Sequence, residues 1–526
     1  MTGHGLAITI AVVLVAITVV IAGYASRQLA GTEDHYVAGG RLRGWQNGLA
    51  LAGDQISAGS FLGIIGAVAL TGFTGFYLAA GLPAAYLLIL LLVAEPLRNV
   101  GRYTVADAIC YRFESRLLRG SVAVATLIIS IVYMVIQFVG AGLVAQLLFG
   151  IDYWIVVLCL GAITTLYTVL GGMIATTYIQ MFKAALLLVI VAVLVLITIS
   201  RTGWNPVGPL LHARRAVGDK VIIPLRKGGT TAALENVSLS LGLVLGFMGL
   251  PHVILRFLTV RDGRAARDSV RIAMWIFVVF FLVLIILGYA ALNEVGPAAI
   301  AKANKAGNLA APQLAKAVGG ELLFALVAAI VIATVLAVLA SLAIASSGAV
   351  AHDLYTQVIK RGDVSPRRQL QVSRVAGAGV ATVAVLIALV AKDKNVAFLS
   401  NVAFAIAASS ITPVLLMTFY WSGFNRVGAC AAMIGGLIIS CGLVVVGPDV
   451  LGKSHLFGLS IPALVSVPGA LLLAVVGSWL GRRGPPTAER PYLEVRRRAF
   501  PPPGTPGRAR VPGGLSAARS ASSRSA

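Results

Sequence analysis

"LALAGDQISAGSFLGIIGAVAL", residues Leu49 to Leu70, decides the fold. The stretch is apolar and long enough to cross a bilayer, which takes about 20 residues of helix, yet near its start stand Gly53, Asp54 and Gln55. A carboxylate at the centre of a spanning helix costs roughly 2.5 to 3.5 kcal/mol even on the lenient insertion scales. An acid kept there is a functional group by default. Gly53 and Gly59 bracket a segment where a helix can unwind, which frees backbone carbonyls and exposes the positive end of a half-helix. The stretch therefore reads as a broken spanning helix that builds a binding site.

Composition agrees. The chain is 58% hydrophobic and only 12% charged, against about 25% charged residues in an average soluble domain. Apolar runs of about 17 to 25 residues give an all-α polytopic membrane protein with about thirteen spans. They begin near Leu6, Gln46, Phe76, Ser121, Tyr153, Ile174, Val237, Ile272, Glu321, Val375, Ala397, Gly428 and Ile461. The first has no basic residue before it and a longer apolar run than a signal peptide needs, so it is read as a span. Cys110, Cys159, Cys430 and Cys441 are scattered and form no ligand or disulfide pattern.

The net charge of +23 raises the question of nucleic acid, which its distribution answers. With the N-terminus outside and the spans alternating, most Lys and Arg fall on the cytoplasmic side: Arg98 to Arg119, Arg256 to Arg271, Lys360 to Arg374, and the tail after Leu480. That is the positive-inside pattern of a protein of the cell membrane; the connection from Arg201 to Glu235, basic yet assigned outside, departs from it. Residues 481–526, rich in Pro, Gly, Ser and Arg, read as a disordered basic cytoplasmic tail near anionic lipid, with too few interleaved aromatics for a nucleic-acid arm. "GPDVLGKS", Gly447 to Ser454, spells a nucleotide phosphate loop but follows an apolar helix rather than a buried strand, so no nucleotide is expected.

A second interrupted span lies five helices after the first, in "LGLVLGFMGLPHVILRF", Leu241 to Phe257, where Gly246, Gly249 and Pro251 weaken the helix. Spans two to six and seven to eleven thus form two five-helix halves, each opening with a broken helix. An odd number of helices per half inverts the second relative to the first. The organisation expected is 1–43 an extra span and loop, 44–421 an inverted-repeat core, 422–480 two added spans and 481–526 the tail.

"GWQNGLALAGDQISAGSFLG" (Gly44 to Gly63), "LRNVGRYTVADA" (Leu97 to Ala108), "LGGMIATT" (Leu170 to Thr177), "GLPHVILRF" (Gly249 to Phe257), "AHDLY" (Ala351 to Tyr355) and "AFAIAASS" (Ala403 to Ser410) resemble the sodium:solute symporter family. They look most like its acetate permease branch. The resemblance implies symport of a small monocarboxylate such as acetate with a cation. It also implies a sodium site made of backbone carbonyls at Gly53 and Ile56, a carbonyl at Thr334 and hydroxyls at the positions of Ala337 and Val338. Neither of the last two carries a hydroxyl. The fifth core helix of some sodium-coupled members carries an acid and then a glutamine; here Gln180 matches the glutamine and Thr177 stands in the acid's place.

One turn beyond Gln180 comes Lys183, too deep in its span for easy snorkelling. It is either a proton carrier standing in for sodium or a structural partner of an acid such as Asp54. The coupling ion is Na+ or H+, and no cofactor is expected. Asp54, Gln55, Ser57, Ser60, Gln137, Gly249 and His252 are the candidate substrate contacts, with Tyr133 read as an interhelical hydrogen bond. No H-E-x-x-H or G-x-S-x-G motif suggests an enzyme. A membrane sensor for a small carboxylate is the alternative, though the tail is too short and polar for an output domain.

Overall fold

In lipid each backbone polar group must be satisfied within its own segment, so apolar runs of this length fold as helices. The computed structural model describes residues 3–27, 32–170, 172–219, 229–305, 307–392, 396–482 and 489–502. Its main helices are α1 (Gly3–Ser26), α2 (Gly44–Gln55), α3 (Ala58–Thr71), α4 (Thr74–Leu92), α5 (Arg116–Phe149), α6 (Tyr153–Leu170), α7 (Met173–Ser200), α8 (Gly229–Gly249), α9 (Pro251–Phe257), α10 (Gly263–Glu294), α11 (Ala310–Gly348), α12 (Pro366–Val390), α13 (Val396–Ser409), α14 (Ile411–Tyr420), α15 (Arg426–Val445), α16 (Ala463–Gly481) and α17 (Tyr492–Ala499). Among the described residues 11 spans are long and apolar enough to cross a membrane, or 12 if the bent pair α2 and α3 is one span. The shorter helix α6 takes the place of the fifth expected span.

Both expected breaks are present. The axes of α2 and α3 differ by 52° across Ile56 and Ser57. Leu250, extended at ψ 120°, separates α8 from α9, with Pro251 at the first position of the new helix, where its missing N–H costs nothing. A third interruption was not expected: Ser410, at φ −120° and ψ −77°, divides α13 from α14. Gly320, in the left-handed region at φ 67°, turns α11 just before Glu321, where the ninth span was expected to begin.

Contacts between connections sort the loops into two faces. On one, Arg98 bonds the carbonyls of Val260 and Arg261, Asp107 meets His352, His35 meets Ser373, and Asn99 bonds the Ala499 carbonyl. On the other, Arg201 bonds Glu294 and the Val318 carbonyl, and Glu235 accepts from the N–H groups of Ser460 and Ile461. The basic connections grouped by the charge pattern share the first face.

The tail departs from its expected disorder. Residues 483–488 and 503–526 lie outside the described residues, but between them α17 buries Val495 and Ala499. Composition misleads there because two apolar residues four apart suffice to dock one helical turn. Arg490 and Arg498 both stack on Tyr111, and the Tyr492 hydroxyl donates to the Phe419 carbonyl.

Candidate functional site

The site grows from one close helix crossing. A Cβ on Gly53 would collide with the carbonyl of Gln180, so only glycine lets α2 lie this near α7. The crossing sets Asp54 against Gln180, whose Nε2 donates to Asp54 Oδ1 at 2.7 Å and to the Ala337 carbonyl at 2.9 Å. One amide thus ties the broken helix, α7 and α11 together. Helix α2 continues through Gly53 to Gln55 and does not unwind at the glycine. Beyond it the Ser57 N–H turns to the Gln55 carbonyl at 2.8 Å, releasing the Gly53 carbonyl from the i, i+4 ladder. The Ser60 hydroxyl, expected at the substrate, is committed to the break: it accepts from the Ser57 N–H and donates to the Gln55 carbonyl, each at 2.9 Å.

The largest addition is Arg256. The charge pattern puts it at the edge of a cytoplasmic loop, but the structure buries it completely, on α9 one turn beyond His252. Its Nε lies 4.0 Å from Asp54 Oδ2, and its two terminal nitrogens donate to Thr177 Oγ1 at 2.8 Å and Ser341 Oγ at 3.0 Å. Asn47, two turns before Asp54 on α2, donates to the Arg256 carbonyl at 3.0 Å. The two inner half-helices are therefore fastened to each other through one arginine.

Of the two readings of Lys183, a direct ion pair with Asp54 is absent among the described residues. Gln180 bonds one oxygen of that carboxylate and Arg256 stands 4.0 Å from the other, while Lys183, 3% exposed, has an Nζ with no hydrogen-bond partner, as do Asp54 Oδ2 and Arg256 Nε. Asp54, Arg256 and Lys183 carry one negative and two positive charges when ionised, all withdrawn from solvent. An uncompensated buried charge is costly, so the group favours one added anion over one added cation.

Of the positions matched to a sodium site, Gly53 has its carbonyl released at the break. The Ala337 carbonyl accepts from Gln180, and Val338 offers no polar side-chain atom. Thr334 directs its hydroxyl to its own helix, at the Val331 carbonyl, 2.6 Å away. Thr177, in the acid's place, receives the Arg256 guanidinium. Ile56 is fully buried at the break.

A neutral wall adjoins the charged one. Gln55 Nε2 lies 3.4 Å from His252 Nε2, and the Tyr133 ring is 5.1 Å from the His252 ring and 6.0 Å from Phe404. Gln55 Oε1, His252 Nδ1 and both amide atoms of Gln137 are buried without a protein partner. Such atoms are costly unless a ligand or water satisfies them, which makes this wall a candidate recognition surface. Ser57, at the N-terminus of α3, is buried beside it. Gly249 packs closely: a Cβ there would press on Thr412 Oγ1 and the Ala407 carbonyl. Of the expected residues, the structure joins Asp54, Thr177, Gln180 and Ala337 on one side and Gln55 and His252 on the other. Arg256 and Ser341 were missed. The signal available for Arg256 was its place four residues after His252, on the same helical face.

At the basic face a second polar network joins several connections. Arg119 donates to Asp107 and Asp353 at 2.7 and 2.9 Å, His352 Nε2 lies 3.1 Å from Asp107, and Gln369 holds the other ring nitrogen. Burial alone would raise the Asp107 carboxyl, but His352 and Arg119 outweigh it and hold it well below the usual carboxylate range.

Comparison with known proteins places this geometry. The profile of the sodium:solute symporter family matches residues 35–436. An uncharacterised symporter of Bacillus subtilis, YwcA, is 43% identical over 478 residues, covering 89% of this chain and 92% of that protein. A monocarboxylic acid transporter of Corynebacterium glutamicum is 39% identical over 502 residues, covering 90% and 91%. Among solved structures, a substrate-bound, outward-open Na+-coupled sialic acid symporter superposes with a TM-score of 0.75 at 13% identity, covering 92% of this chain and 99% of the other. At that identity the superposition speaks for the shared inverted-repeat fold alone.

Proposed function

The chain belongs to the sodium:solute symporter family, and we propose that it takes up a small monocarboxylate such as acetate together with a proton carried by Lys183. The observation that carries this reading is the charge count at the break, where Asp54 answers Arg256 and leaves Lys183 unmatched. A carboxylate bound there supplies the missing negative charge. Anion and proton then favour each other reciprocally, which is what coupling requires. A sodium ion would instead add a third positive charge close to a guanidinium.

The neutral wall supports the substrate class. Acetate, propionate, lactate and pyruvate each present one carboxylate and a small apolar body. Gln137 Nε2 and, with Gln55 Nε2 donating to His252 Nε2, the Nδ1–H of His252 are free to donate to the first, and Tyr133 and Phe404 suit the second. The relative from Corynebacterium, named for monocarboxylic acids, points the same way. The cell membrane is the expected site of action, with the basic face turned to the cytoplasm.

Reconstituted protein tests the reading. Uptake of labelled acetate should follow an imposed pH gradient in sodium-free buffer, and Lys183→Gln should lose that dependence. Accumulation driven by a sodium gradient at constant pH, with a proton gradient inert, overturns proton coupling. Binding of acetate without any uptake would favour a sensor.

A further inference from the structure

A cleft of about 510 Å³ opens where the N-terminus of α2 meets the early turns of α10, away from the buried site. Arg43, Arg261 and Arg271 line it together with Trp45 and Asp268. Arg271 pairs with Asp268 at 3.0 Å and Arg261 with Asp262 at 3.6 Å. The Arg43 guanidinium has no acidic partner among the described residues. One positive charge is thus left over, and the N-terminus of α2 adds partial positive charge to it, while that of α10 is capped by Asp262.

The level of the cleft is set by α10. Trp275, Val279 and Leu282 are 62%, 61% and 55% exposed on one face of that helix, as a lipid-facing stripe is. Arg271 precedes this stripe by one turn, about 6 Å along the axis, at the boundary between acyl chains and headgroups. Trp45, 51% exposed, brings a second indole to the same end, and tryptophan favours that boundary.

We propose that this cleft binds the phosphodiester headgroup of a singly charged anionic phospholipid such as phosphatidylglycerol. The phosphate sits among Arg43, Arg261 and Arg271, with the glycerol and upper acyl chains against Trp45 and Ile272. Clefts of basic side chains between spanning helices are suited to such headgroups. The site also bears on transport. Arg43 is the residue from which α2 starts, and Gly44 and Gly48 let α2 approach Ala265 and Ser269 of α10 closely. A headgroup held between Arg43 and Arg271 clamps the half-helix that carries Asp54 against α10.

The experiment titrates purified full-length protein in detergent with phosphatidylglycerol and, separately, phosphatidylcholine, following bound lipid by native mass spectrometry. Arg43→Gln/Arg271→Gln should bind phosphatidylglycerol about tenfold more weakly than the unaltered protein, with phosphatidylcholine binding and lipid-free melting temperature unchanged. Equal phosphatidylglycerol affinity in the two proteins overturns the proposal. So does an equal loss in Arg496→Gln/Arg497→Gln, which would move the lipid to α17. Inorganic phosphate that displaces phosphatidylglycerol at millimolar concentration would assign the cleft to a free anion instead. A second measurement keeps Arg43 and Arg271 intact: brominated phosphatidylglycerol should quench fluorescence more than brominated phosphatidylcholine, and Trp45→Phe should shrink the difference to the share that Trp275 supplies. An undiminished difference in Trp45→Phe also overturns the assignment.

Discussion

Arg256 and Asp54 face each other at 4.0 Å, both wholly withdrawn from solvent, and they come from the two broken helices that open the two halves of the repeat. Each half thus contributes one member of a buried ion pair, and the pair joins the two breaks. Arg256→Gln should abolish uptake and lower the stability of the purified protein by up to about 3 to 5 kcal/mol, because Asp54 loses the guanidinium facing it and is left with Lys183 alone, while Thr177 and Ser341 lose their donor. Asp54→Asn should also reduce uptake severely while inserting normally, since removing a charge eases insertion. The double variant Asp54→Asn/Arg256→Gln should regain much of the lost stability but no uptake, a non-additivity read from thermal unfolding of all four proteins. Additive losses would show that the two side chains act separately.

Gly53 gives a test of the helix crossing that involves no charge. Gly53→Ala drives a methyl into the Gln180 carbonyl and should push α2 off α7, loosening the bond from Gln180 to Asp54. Gly63→Ala, on the same span with nothing within 4 Å of the new atom, is the control. Uptake should fall steeply in the first and hardly change in the second; equal rates would mean that α2 has room to shift.

What the sequence made legible was what violated its own surroundings. Asp54 stands out because an acid interrupts an apolar run, and Lys183 for the same reason. Arg256 violates nothing: it ends an apolar stretch and precedes Arg261, Arg264 and Arg267, so hydropathy assigns it to a loop. Only the geometry of the second break, which turns the chain back into the protein after Leu250, buries it. The interruption at Ser410 was hidden likewise, because "AFAIAASSITPVLL" is continuous in hydropathy and Pro413 sits in the first turn of α14, where proline is tolerated. Helix α17 was obscured by the charged residues around its two buried side chains.

The network at the basic face makes a prediction about acid. The Asp107 carboxyl is held below its ordinary range by His352 and Arg119, against the effect of burial. A carboxylate whose pKa is depressed by folding contributes stability that is full above its unfolded value, about 3.9, and is lost as pH falls towards the folded value. The melting temperature should therefore be insensitive to Asp107 titration between about pH 5 and 8 and decline on acidification below about pH 4. Asp107→Asn should melt lower at neutral pH and show a shallower acid decline. A variant as stable as the parent at pH 7 would mean that the Arg119 bridge to Asp353 suffices alone.

The last prediction concerns the charge moved in each cycle. If Lys183 binds a proton with each carboxylate and releases both inside, the loaded and empty sites carry equal charge, and transport is electroneutral with one proton per substrate. Uptake in vesicles should then respond to a pH gradient but not to a potassium diffusion potential imposed with valinomycin at constant pH. Were Lys183 to stay protonated throughout, the anion would cross alone, and an inside-positive potential would drive it. Lys183→Gln separates the two cases further. Without the ammonium, the remaining pair of Asp54 and Arg256 is neutral, so the variant should bind acetate more weakly yet still exchange internal for external acetate, at a rate independent of pH. A variant whose exchange keeps the pH dependence of the parent would place the proton on another group, with His252, the titratable side chain beside Gln55, the first to examine.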